Sequence, residues 1–267
     1  MSLRRNIKDG QPVIEQISTP PRVYLDNCAL VKIKSKYDQK FIDILNKKNG
    51  TLCLSFFNII ELINYGNEEK REQLLDFVDS VDLILMDVNP DTIHANRSWL
   101  DMDLAKECEK VMNPLKEFKV TAVIRHMREE IERFGQGVLE NFETTLYPKI
   151  QKARVTLEVV KQAKLRRKKK GYVPINQRAN IEAVHQACFD FIVVNKNMKM
   201  DTGEWRDTFH TIVPVCSCDF VLIDTRWTQF LVEAGLSYPQ IAKTYDERKI
   251  EDFLIELENF KEVETTK

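Results

Sequence analysis

The 267-residue chain reads as an α/β protein, three layers α/β/α around a central, mostly parallel sheet, with a long helical insertion. Two patterns predict this. Short apolar runs at 22–27, 51–55 and 81–86 alternate with segments of helical spacing, the order in which a parallel sheet is wound. From residue 90 to 165, glycine occurs only at Gly135 and Gly137 while charged residues alternate with Leu, Val, Ile, Phe and Met at helical spacing, which marks an inserted helical unit without a fixed repeat.

Residues 1–20 are polar, run into Thr19-Pro20-Pro21, and read as an extended lead-in before the first strand at 22–27. In 37–48, Phe41, Ile44 and Leu45 share a helical face, and Asn49-Gly50 stops the helix by favouring a left-handed backbone. Residues 51–55 form the second strand. Ser55 then caps a helix that buries Ile59, Ile60, Leu62 and Ile63 and leaves Glu61 beside the apolar face. A helix at 68–80 and a strand at 81–86 complete the first part of the core, residues 21–89. The insertion spans 90–175. The second part, 176–267, reads as a helix at 176–195, a turn at 201–203 and a helix from 204 to 213. A strand at 219–224, a helix at 225–235, an edge strand at 239–245 and a last helix at 247–260 follow.

Composition narrows the function. Lys and Arg number 40 against 41 Asp and Glu, so no overall charge draws a polyanion to the chain and any nucleic-acid contact is local. The local candidate is Arg166, Arg167, Lys168, Lys169 and Lys170, inside the acid-free stretch 161–181. This run reads first as a solvated helix end and, in the alternative, as a contact to the backbone of single-stranded RNA, with Tyr172 placed to stack on a base. Six scattered cysteines imply reduced thiols in a cytoplasmic protein, and no run reaches the roughly 18 apolar residues of a membrane helix. A glycine-rich phosphate cradle is absent. His210 with Cys216 and Cys218 lacks the second ligand pair of a zinc site, and His94, His126 and His185 have no Ser or Cys partner for a triad.

Four apolar runs each deliver an acid: Asp26, Glu61, Asp207 and Asp224. A carboxylate at the end of a core segment must be solvated, paired or metal-bound, because burying it alone is costly. Asp207, shortly after Gly203, is expected in the first turn of its helix, with His210 and Thr211 on its face and Trp205, Phe209, Ile212 and Val213 as the buried stripe. Asp219 and Asp224 lie five positions apart on one strand and so on opposite faces. Asp224, at the carboxyl end where parallel sheets bind ligands, is the fourth acid, and Asp219 is an outer candidate. Two like charges 4 Å apart cost about 4 kcal/mol at an effective dielectric of ~20, a repulsion that Mg²⁺ or Mn²⁺ relieves. Asn27 and Ser55 read equally as partners of the acids and as helix caps.

Taken in order, Val-Tyr-Leu-Asp26-Asn27, Ser55-Phe-Phe-Asn-Ile-Ile-Glu61, and Arg206-Asp207-Thr-Phe-His210 through Asp219-Phe-Val-Leu-Ile-Asp224-Thr225-Arg226 resemble the motifs of the PIN-domain superfamily of metal-dependent nucleases. The resemblance covers roughly residues 20–86 and 176–260. The chain departs from the pattern in its long middle segment and in Ile223, where members often place Ser or Thr, although Thr225 follows. The resemblance implies a Mg²⁺- or Mn²⁺-dependent ribonuclease that hydrolyses phosphodiesters with a metal-activated water, leaving a 5′-phosphate and a 3′-hydroxyl. Asp26, Glu61, Asp207 and Asp224 would hold the metal, supported by Asn27, Ser55, His210 and Thr225. Two further readings are a catalytically inactive PIN-like scaffold that binds RNA or protein, and a toxin-like nuclease held by an antitoxin-like protein. The expected partners are RNA or another single-stranded nucleic acid, a protein inhibitor, and a second copy of the chain in a homodimer.

Overall fold

The chain opens with an antiparallel hairpin, β1 (Leu3–Lys8) and β2 (Gln11–Gln16), in a computed structural model that describes residues 3–8, 11–87, 120–126, 128–174 and 177–261. This corrects the expectation of a plain extended lead-in: the extended residues pair with one another. Leu85 N donates to the Gln16 side-chain oxygen at 2.8 Å, which ties the hairpin to the rest of the fold.

The first part of the core follows as β3 (Arg22–Leu25), α1 (Asn27–Lys36), α2 (Asp38–Lys47), β4 (Thr51–Ser55), α3 (Phe56–Ile63), α4 (Glu68–Val78) and β5 (Leu83–Met86). Helix α1 has no counterpart in the sequence reading. Its lysines at 32, 34 and 36 interrupt the apolar face, and Asp26 starts it by accepting from Ala29 N at 2.8 Å. The described part of the insertion is helical, as expected: α5 (Val120–His126), α6 (Arg128–Asn141), a π-helical turn Phe142–Leu146, α7 (Tyr147–Val155) and α8 (Leu157–Lys169). The expectation for residues 90–119, with His94 and Cys108, lies outside the described residues. The chain then runs α9 (Ile181–Val194), α10 (Thr202–Ser217), β6 (Phe220–Leu222), α11 (Thr225–Glu233), β7 (Lys243–Tyr245), a 3₁₀ turn Glu247–Lys249 and α12 (Ile250–Glu258).

Strands β3 to β7 form one sheet in the order β5-β4-β3-β6-β7, and every neighbouring pair is parallel. Strands β4, β5 and β6 are buried along their whole length, the near-continuous apolar runs that a parallel sheet covered on both faces demands. Register assigns the faces. Tyr24 aligns with Cys53 and Val221, and its hydroxyl meets His210 of α10, so α10 covers that face. Val23 aligns with Leu52 and Phe220, and the Phe220 ring meets Phe253 of α12 with centroids 5.9 Å apart, so α12 covers the other.

The chain leaves β3 for β4 and β5 on one side, while β6 and β7 extend the sheet on the other. The carboxyl ends of β3 and β6 therefore flank a topological switch point, the place where parallel α/β sheets bind ligands. The insertion packs beside it. A Cβ at Gly135 of α6 would lie 3.2 Å from Ile60 of α3, and Phe142 stacks on Trp205 of α10 with centroids 4.8 Å apart. It thereby braces the two helices that carry Glu61 and Asp207.

Candidate functional site

Asp26 sits immediately after β3, Asp224 two residues after β6, Glu61 on α3 and Asp207 on α10. Asp26 N donates to Leu222 O at 2.9 Å, which joins the two strand ends at the switch point. Both strand-end acids are helix N-caps: Asp26 accepts from Ala29 N, and Asp224 accepts from Arg226 N at 2.8 Å. Asp224 is exposed, while the other three are half-buried.

Glu61 is the most heavily supported of the four. The Asn27 amide donates to its Oε2, Arg206 Nη1 lies 3.1 Å from its Oε1, and His210 Nε2 lies 3.8 Å from the same oxygen. Asn27 is held in turn by Asn58, whose amide donates to Asn27 Oδ1 at 3.2 Å and to Leu25 O at 3.0 Å. Beneath lies a buried polar chain in which the Tyr24 hydroxyl bonds His210 Nδ1 and stands 3.1 Å from Ser55 Oγ. Ser55 is the N-cap of α3 in a capping box with Asn58. The two alternatives for Asn27 and Ser55 thus separate: Asn27 orients an acid and Ser55 caps.

The electrostatics divide the acids. Burial raises the Asp26 carboxyl to about 6; the Ala29 N–H and His210 oppose the rise, and Asp207 and Glu61 add to it. Burial also raises Asp207 to about 6, with His210 opposing and Glu204, Asp224 and Glu61 adding. Glu61 goes the other way. Burial pushes it up, but His210, Arg206 and Asn27 outweigh that and leave it below the usual carboxylate value. The four predicted acids and Glu204 therefore share one field.

Other expected members are placed elsewhere. Asp207 lies in the second turn of α10, not the first: Asp201 is the N-cap, accepting from Glu204 N at 3.0 Å, so Glu204 takes the place that the helix dipole favours. Asp219 precedes β6, at the end of the sheet away from the acids. It accepts from Arg22 N at 2.8 Å and faces Arg22 Nε at 3.5 Å, which removes it as an outer ligand. Thr225 opens α11, and among the described residues no hydrogen bond joins its side chain to the acids. Thr211 is buried rather than cleft-lining, donating to Asp207 O at 2.8 Å.

The basic run also changes meaning. Arg166 makes two 2.7 Å hydrogen bonds to Asp190, a fully buried carboxylate that also accepts from Tyr172 and Gln186. Arg167 lies over the Phe191 ring and 3.5 Å from Glu233. Tyr172 is thus occupied too, and only Lys168, Lys169 and Lys170 of the run stay exposed. They end α8, where cations suit the helix dipole, and Lys170 abuts Gly235 beyond α11. Nine residues of α11 separate that contact from the Asp224 end, about 14 Å at 1.5 Å per residue.

Sequence reasoning missed Arg206, Arg226 and Glu204. Arg226 Nη1 pairs with Glu204, and its Nη2 lies 4.0 Å from Asp207 Oδ2. One signal was available for Arg226, a cation in the first turn of a helix, where the dipole disfavours it.

A hard divalent cation suits the donor chemistry, since the site offers carboxylate oxygens, two of them raised first by burial and further by their acidic neighbours. Two buried atoms at the cleft, His210 Nε2 and Glu204 Oε2, have no hydrogen-bond partner among the described residues. The side chains are not closed to coordination distance: among the described residues no group of three His, Cys, Asp or Glu stands ready to hold a metal ion. Caps and arginines engage the oxygens instead. Among the described residues no helix is long and apolar enough to cross a membrane. Comparison with protein-family models, curated proteins and solved structures returned no significant match.

Proposed function

We propose that the chain is a PIN-like, Mg²⁺- or Mn²⁺-dependent ribonuclease whose acidic cleft hydrolyses phosphodiester bonds. The observation that carries the reading is the placement of Asp26 and Asp224 at adjacent strand ends of the sheet's switch point, with Glu61 bonded to Asn27 beside Asp26 and Asp207 4.0 Å from Arg226 beside Asp224. Asp26, Glu61 and Asp207 would hold the cation directly, with Asp224 at the exposed rim. When bound, the cation supplies Lewis-acid activation of water and neutralises charge on the phosphodiester.

The chain's own groups do the rest. Asn27 and His210 keep Glu61 ionised and oriented, and the cap bond from Ala29 fixes the Asp26 carboxylate at the strand end. The reading includes a cytoplasmic location and RNA as the partner; an antitoxin-like protein or a second copy of the chain would act on this cleft from outside. Anomalous diffraction from a Mn²⁺-soaked crystal tests it, with density expected among the three inner acids. The engagement of the acids by arginines favours one rival, a PIN-like scaffold without catalysis. An empty cleft together with no cleavage of varied RNAs would establish that rival.

A further inference from the structure

We propose that Arg206 and Arg226 are resident counter-ions of the acidic cleft that release their carboxylates when a divalent cation enters and then bind a phosphodiester oxygen of the substrate. The inference rests on the reading above and adds the residues that take the substrate's phosphate.

The two guanidiniums come from different helices and engage different acids of the one site, Glu61 for Arg206 and Glu204 with Asp207 for Arg226. Arg206, on α10, has Nη1 3.1 Å from Glu61 Oε1, while its Nε donates to Thr202 O at 3.3 Å. Arg226, on α11, pairs with Glu204 and reaches toward Asp207 at 4.0 Å. Their side chains are 29% and 46% exposed, so both can move without unpacking the core. Arg226 also stands where its own helix dipole repels it, so its reward for that position is the acids across the cleft.

A carboxylate that ligates a divalent cation no longer needs the guanidinium, and the cation's charge repels it. The freed guanidinium stays tethered within reach of the cleft. There its five planar N–H donors match a phosphodiester better than a lysine's point charge does. Counter-ion and phosphate ligand are then one residue at two stages.

Calorimetric titration with Mn²⁺ on wild type, Arg206→Gln and Arg226→Gln tests the first stage. Each variant is expected to bind Mn²⁺ about two- to five-fold tighter, the scale of one exposed ion pair removed. Melting in EDTA should be lower for Arg206→Gln than for wild type, with the deficit closed by Mn²⁺; a purely structural arginine would leave a deficit that Mn²⁺ does not close. Binding of a labelled single-stranded oligonucleotide, with Ca²⁺ replacing Mn²⁺, reads the second stage. Glutamine variants should weaken it several-fold, and Arg226→Lys should restore it only in part. Unchanged or weaker Mn²⁺ affinity in both glutamine variants, with wild type binding normally, overturns the inference and leaves the nuclease reading standing. Absence of Mn²⁺ binding in wild type and variants alike overturns both.

Discussion

Asp26 does two jobs whose demands differ. It caps α1, for which Asn serves as well as Asp, and it carries a charge in a cleft that already holds Glu61 and Asp207. Asp26→Asn therefore keeps the cap and removes a buried charge that its acidic neighbours also repel. In EDTA at pH 8 the variant should be more stable by roughly 1 kcal/mol, a rise in melting temperature of about 2–4 °C. The gain should vanish near pH 4, where the wild-type carboxyl is protonated, and thermal melts at the two pH values check both statements. The same variant should lose most of its stabilisation by Mn²⁺. The acids stood out in the sequence because apolar runs deliver them, although such an acid is as readily a cap or an ion-pair partner, and Asp26 and Asp224 are both caps. Arg206 was not, because nothing local to it points at Glu61, which lies on another helix 145 positions earlier in the chain.

At the scale of elements, the basic run divides into residues with unlike roles. Five consecutive cations read first as a solvated helix end and, in the alternative, as a nucleic-acid contact, but Arg166 anchors α8 to α9 through Asp190, whose side chain is 0% exposed. Removing the arginine leaves a buried carboxylate with, among the described residues, only Tyr172 and Gln186. Arg166→Ala should therefore destabilise by about 3 kcal/mol, whereas Lys169→Ala, on the exposed side, should stay within about 0.5 kcal/mol. Urea denaturation of the two variants checks the contrast, and equal effects would contradict the assigned roles. Composition could not separate these residues, since the partner acid lies 24 positions away on another helix. Helix boundaries were blurred for a related reason. Gly203 reads as a turn residue, yet the Asp201 cap draws it into α10 and moves Asp207 from the first turn to the second.

For the whole molecule, the cleft sets a distinctive dependence on pH. Asp26 and Asp207 have folded values of about 6, above the usual 3.8, so between roughly pH 4 and 6 the folded protein holds more protons than the unfolded chain. Their contribution makes cation-free stability fall as pH rises through that window and level off above it. Glu61, shifted down, acts oppositely: its contribution is present above the unfolded value and is lost as pH falls through the lower folded one. Divalent-cation affinity should rise across the 4-to-6 window, since only the ionised acids ligate. Melts in EDTA and Mn²⁺ titrations at pH 5 and pH 8 read the two trends, which must run in opposite directions.

The parallel sheet was legible from strand–helix alternation because both faces of such a sheet must be buried. The position of the insertion was not, because Gly135 against Ile60 and Phe142 against Trp205 are contacts between segments far apart in the chain. The proposed metal-dependent phosphodiester cleavage depends on the acids at the switch point. Its most direct test is cleavage of a panel of single-stranded RNAs by wild type and by Asp207→Asn, with Mn²⁺ and with EDTA, both proteins verified as folded by circular dichroism. Cleavage by wild type that EDTA abolishes and Asp207→Asn lacks is the predicted result; cleavage undiminished in Asp207→Asn or in EDTA would contradict it.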